Sequence, residues 1–216
     1  MVSTDALFAD DVLHAADGEV SLSEGFAAAV ERYRAEFEGR DADELAVEIR
    51  GRVDDDAVVE PLAALGAEDP RTVAELCALS EWVETDGEWL RLLPPLRLFR
   101  QDDVRTDGAP ESFVPVPATH LPQLTRVYSP ALVYAWLDDD ESCDLAKRDL
   151  ESVFETPQGV MPFAVFGPNY REFLATEYDL TAGPALLFMR DGTVEARLYG
   201  AHGPGTVETE LARHRE

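Results

Sequence analysis

The chain has 216 residues, 44 acidic and 18 basic, with a formal charge of −26 and a pI of about 4.3. With 45% hydrophobic residues it is no disordered acidic tail, and its length allows two small domains with a sizeable core. Lysine occurs once, at Lys147, and arginine supplies the other Lys/Arg positions. An acidic surface almost free of lysine reads as adaptation to very high salt, where screening weakens self-repulsion. The plainer alternative is a protein with a cationic partner. On the high-salt reading the fold should be lost as salt is diluted. The acidic runs Asp54–Asp56 and Asp138–Asp140 then read as hydrated charge and helix capping. A divalent site would need ligands spaced to converge on one ion, and nothing in these runs fixes that. The first twenty residues carry Asp5, Asp10, Asp11, Asp17 and Glu19, with no basic start and no long apolar block. No secretory signal or bilayer span is expected, and the cytosol is the expected location. Cys77 and Cys143 are the only cysteines, so no disulfide framework, zinc cluster, metal or cofactor is expected.

Residues 1–20 read as weakly structured. Ser21-Leu-Ser-Glu24 has a capping-box pattern and should open a helix with Leu22, Phe26, Val30, Tyr33 and Phe37 on one side, closed by Gly39. A second helix is expected over Asp41–Arg50. A third follows Asp54–Asp56, shows Val58, Leu62 and Leu65, and should stop at Gly66. Asp69-Pro70 is an N-cap and first-turn pair for a fourth helix carrying Val73, Leu76, Cys77 and Val83. Glu88–Leu93 reads as a short strand ended by Pro94-Pro95. Helices joined at a Gly turn and followed by such a strand are weakly like a winged helix-turn-helix. The recognition helix would offer Arg71 and Thr72, but Glu75, Glu81 and Glu84 on it would repel phosphates, which argues against nucleic acid. The plainer reading is a small helical bundle over residues 1–100. A Pro- and Asp-rich linker is expected over residues 101–111.

Residues 112–216 read as a second domain. Phe113–Val116 can be a strand, His120–Tyr128 a helix, and Ala131–Trp136 a buried central strand. An acidic turn follows, and then a helix over Glu141–Phe154 with Leu145, Leu150 and Val153 on one side. Val160–Phe166 should be a strand, Tyr170–Tyr178 a helix and Ala182–Met189 a strand. Arg190-Asp191-Gly192 is a hairpin signal, leading to a strand over Thr193–Tyr199 and a helix over Thr206–His214. This order of elements resembles the thioredoxin superfamily. Trp136 and Cys143 keep the spacing from that family's Phe-Trp pair to the second Cys of its Cys-x-x-Cys motif, and Gly183-Pro184 stands where the family enters a strand through a cis-proline. The resemblance implies an α/β thioredoxin-like C-terminal domain, a central mixed sheet flanked by helices, behind a mainly α-helical N-terminal domain.

The departures matter for chemistry. The family's Trp-Cys-Gly-Pro-Cys aligns with Asp139-Asp140-Glu141-Ser142-Cys143, so Asp140 stands at the attacking thiol and suits a helix N-cap. The family's buried acid aligns with Tyr134. Cys143 keeps the position of the resolving thiol, and its acidic neighbours oppose the thiolate. It is the candidate thiol, against the plainer reading of a half-buried helix cysteine. What the resemblance leaves intact is the peptide groove, at Asp140, Gly183 and Pro184, where main chain pairs with an extended segment. His14, His120, His202 and His214 are far apart in sequence, and His202 falls in a loop that the resemblance puts on the groove side. The expected function is a protein-binding or adaptor module without dithiol catalysis, in a high-salt cytosol. A single-cysteine oxidoreductase using Cys143 and a winged-helix regulator are the rivals.

Overall fold

The computed structural model describes residues 5–16, 18–83, 88–100, 104–136 and 141–214, and divides into two compact units at Gln101/Asp102. In the N-terminal unit, α1 (Asp5–Ala9) leads into an antiparallel hairpin, β1 (Leu13–Ala16) and β2 (Glu19–Leu22). Residues 5–16 and 18–20, read as weakly structured, are therefore structured, against expectation. Four helices follow: α2 (Glu24–Phe37), α3 (Ala42–Arg50), α4 (Asp56–Glu68) and α5 (Pro70–Trp82). The cap of α2 is Ser23, which accepts from the Phe26 N–H, and Ser21 and Leu22 belong to the preceding strand. Asp41 and Glu44 form a reciprocal capping box for α3. Asp55 caps α4, accepting from Ala57 at 2.9 Å.

Helix α4 does not stop at Gly66. A Cβ there would lie 2.2 Å from Val73 Cγ2, so glycine lets α4 and α5 approach closely rather than ending the helix. Asp69 is no ordinary cap either: it makes no side-chain cap bond. Its carboxylate takes hydrogen bonds from Thr72, Arg97 and Arg100. The stretch expected as a strand is a 3-10 turn, Glu88–Leu92, running into the short helix α6 (Leu93–Leu96). Pro94 and Pro95 sit inside its first turn, where their missing N–H groups cost nothing, and do not break it. A second 3-10 turn, Arg97–Phe99, brings Arg97 and Arg100 onto α5.

The C-terminal unit is a five-stranded mixed sheet flanked by helices, as the resemblance implies. In chain order it contains β3 (Val114–Pro115), α7 (Leu121–Val127), β4 (Ala131–Trp136) and α8 (Glu141–Val153). There follow β5 (Met161–Phe166), α9 (Arg171–Tyr178), β6 (Ala185–Arg190), β7 (Thr193–Tyr199) and α10 (Pro204–His214). The strand order is β3-β5-β4-β6-β7. β4 is parallel to β5 (Val133 opposite Phe163) and antiparallel to β6 (Val133 opposite Leu187). Every residue of β4 is buried, as a central strand covered on both faces requires. Leu132, Tyr134 and Trp136 face the layer that holds Cys143, Ala146, Leu150 and Val153 of α8 with Val207 and Leu211 of α10. The stretch read as a linker is packed in part, with Ala109 and Pro110 buried and Thr106, Asp107 and Glu111 exposed. Ala109 is buried in that core, and a Cβ on Gly108 would lie 1.8 Å from Trp136 Nε1.

Candidate functional site

Helix α8 presents Cys143, Ala146, Leu150 and Val153 to the sheet, so the Cys143 side chain lies in the core and the residue is 5% exposed. Tyr134, where the family resemblance would have a carboxyl, is fully buried. Its hydroxyl donates to the Cys143 carbonyl at 3.1 Å. The Tyr134 ring stacks on Trp136 with centroids 6.0 Å apart and meets Phe113 edge-on at 6.3 Å. The phenol therefore ties the helix to the strand and brings no carboxylate to accept a proton there. Asp140, expected both as N-cap and as part of the groove, lies outside the described residues, as do Asp138 and Asp139.

Gly183-Pro184 enters β6 through a cis bond, and Ser129-Pro130 is cis as well. The Pro184 carbonyl accepts from the Gly200 N–H at 2.7 Å, which joins the end of β7 to the start of β6. Gly200 has φ +84, a left-handed turn that glycine adopts at no steric cost. His202 follows it, with Nε2 2.9 Å from the Tyr199 carbonyl, a local turn contact. His214 instead sits between Glu195 and Glu210 and stacks on Phe188. Among the described residues no group of three His, Cys, Asp or Glu side chains could hold a metal ion.

A cleft of about 230 Å³ opens beside the segment before Pro184. Its walls are Ala135 and Trp136 at the end of β4, Leu174 and Ala175 on α9, and Leu180. Arg171, exposed, stands at one side, and Thr181, Ala182 and Gly183 form the other. Among the described residues nothing pairs with the main chain of Thr181–Gly183. The site therefore offers an apolar recess next to unpaired N–H and C=O groups. Gly183 was legible from its proline. Arg171, Leu174 and Leu180 were not: α9 and the 180–183 stretch meet β4 only through the sheet order.

Of the residues read as a recognition helix, Thr72 and Glu75 point into the N-terminal unit, whereas Glu81 is exposed and Glu84 lies outside the described residues. Thr72 and Glu75 are buried, and Arg71 Nε donates to Glu75 at 2.9 Å. Cys77 is fully buried, and burial pushes its thiol up to about 12 against a smaller opposing pull from Arg52. Cys77 and Cys143 are not joined in a disulfide. Among the described residues no helix is long and apolar enough to cross a membrane.

No family model matches the chain, and no curated protein matches it. Among solved structures it is similar to thioredoxin from Malassezia sympodialis (20% identity, 46% of this chain and 89% of that one, TM-score 0.42). It is also similar to Fasciola hepatica thioredoxin (23% identity, 45% and 94%, TM-score 0.40). A third is a mutant thioredoxin from Halobacterium salinarum NRC-1 (16% identity, 52% and 96%, TM-score 0.42).

Proposed function

We propose that residues 102–216 form a thioredoxin-like binding module without dithiol catalysis, which holds an extended segment of a protein partner beside Thr181–Gly183. The observation that carries this reading is the cleft next to unpaired main chain at the entry to β6. Pairing through main chain does not need a thiol, and an apolar recess gives one anchoring side chain a place to bury. Cys143 is buried in the helix–sheet interface, and its lone thiol could not release a mixed disulfide without an outside thiol.

The full chain in molar potassium chloride should not catalyse insulin reduction by dithiothreitol. Partners it captures should be kept by Cys143→Ser and lost on Ala175→Glu, which fills the cleft. Turnover of insulin, or loss of partners on Cys143→Ser, would give the function to the single-cysteine enzyme. Retention on DNA in molar salt would give it to the regulator. The acidic surface belongs to a high-salt cytosol in this reading, and a thermal midpoint unchanged between molar and millimolar potassium chloride would count against that setting.

A further inference from the structure

In the C-terminal unit, the positive side chains are nearly all engaged. Arg105 pairs with Asp107, Arg190 with Glu195 and Arg213 with Glu210. Lys147, Arg148 and Arg197 donate to the carbonyls of Asp107, Asp144 and Tyr178. Among its described residues, only Arg126 and Arg171 have no such partner, and Arg126 lays its stem over Gly192. Arg171 instead lines the cleft, and no acidic residue among the described ones shares that lining. Arg171 thus has neither a carboxylate nor a carbonyl partner among the described residues, and it stands beside an apolar recess.

We propose that the cleft selects an acidic segment of the partner protein, a specificity that rests on the groove reading above. An extended chain pairs with Thr181–Gly183 and seats an apolar side chain against Leu174 and Leu180. Alternate residues of a strand face the same way, so an Asp or Glu two positions along presents its carboxylate to Arg171. The charge of −26 repels an acidic segment at long range. At 1 M salt that field decays over about 3 Å, and the contact pair decides the outcome. Selectivity for acid is therefore a property of the high-salt state.

The test uses the full chain and two fluorescein-labelled decapeptides, with Leu-Thr-Asp or Leu-Thr-Asn at the centre of a Gly/Ser sequence, read by anisotropy. In 1 M potassium chloride the Asp peptide should bind tighter by about 1.4- to fivefold, the range of an exposed ion pair. Arg171→Gln should equalise the two, and Ala175→Glu should abolish both. Lowering the salt to the limit at which circular dichroism shows an intact fold should weaken the Asp peptide more than the Asn peptide. Equal binding of the two peptides by the unmodified chain overturns the selectivity and leaves the groove standing. A preference for Asp that survives Arg171→Gln overturns the role of Arg171. Failure of both peptides to bind overturns the groove and the selectivity together.

Discussion

In the N-terminal unit the interior admits charge. Glu75 is wholly buried, Arg100 nearly so, and their shortest contact is 2.5 Å, with Asp69, Arg71, Thr72 and Arg97 around them. Under β4 in the C-terminal unit the comparable space holds rings: Phe113, Tyr134, Trp136 and Phe166. An ion cluster is all or nothing, because removing one member strands the others without water. A packed ring cluster degrades in steps, by volume and by single hydrogen bonds. The cluster's electrostatics point the same way. Burial alone would raise the Asp69 carboxyl, but Arg100 and Arg97 together hold it below its ordinary value.

The sharpest way to break the comparison is Arg100→Met. It leaves Glu75 with only Arg71, and should cost about 3–5 kcal/mol in denaturant unfolding of the full chain at high salt. Adding Glu75→Leu should recover much of that loss, and a single-variant cost below about 1 kcal/mol would mean the cluster is not the unit's anchor. Gly108→Ala should cost about 1–3 kcal/mol by forcing the 105–109 segment off Trp136, with a change in tryptophan emission. Tyr134→Phe removes one hydrogen bond and no packing, so about 1 kcal/mol is expected, and less if the Cys143 carbonyl is content with its helix.

At neutral pH the smallest effect concerns Cys77. Its folded thiol is raised from 9.0 to about 12, so between those values the unfolded chain loses a proton that the folded chain keeps. Its contribution to stability is complete below pH 9.0 and falls away as pH rises towards about 12. At neutral pH the native thiol should resist iodoacetamide until the chain is unfolded.

The sheet was more legible than the helical unit for physical reasons. β4 is a continuous apolar run, and Arg190-Asp191-Gly192 dictates a tight turn, so both ends of β4 and the range of β7 match expectation. At Glu88–Leu93 the sequence points to a strand because Trp89, Leu90 and Leu92 satisfy a strand pattern as well as a helical turn and Pro94-Pro95 reads as a stop, yet the chain forms a 3-10 turn there. The hairpin at Leu13–Leu22 escaped because its strands are short and mostly exposed, with alternation confined to Glu19-Val-Ser-Leu22. The dipeptide Asp17-Gly18 was a second signal in the sequence. The charged cluster was invisible because Asp69 and Arg100 are far apart in sequence and each looks like a surface residue. The cleft was half legible: Pro184 marked its edge, while its wall on α9 needed the three-dimensional order of strands.

Within the C-terminal unit the sheet ends at β3 and β7, and each end is closed to further strands in its own way. β3 pairs over two residues only, and Pro115 has no N–H to offer a newcomer. β7 carries Glu195 and Arg197, which an incoming chain would have to strip of water. Mutual repulsion between copies fades in concentrated salt, so a polyanion there cannot rely on charge to stay dispersed. The cost of dehydrating those two side chains, and the missing proline donor, do not fade with it. Strand addition is thus discouraged at both rims, while the main chain of Thr181–Gly183 has no pairing partner among the described residues.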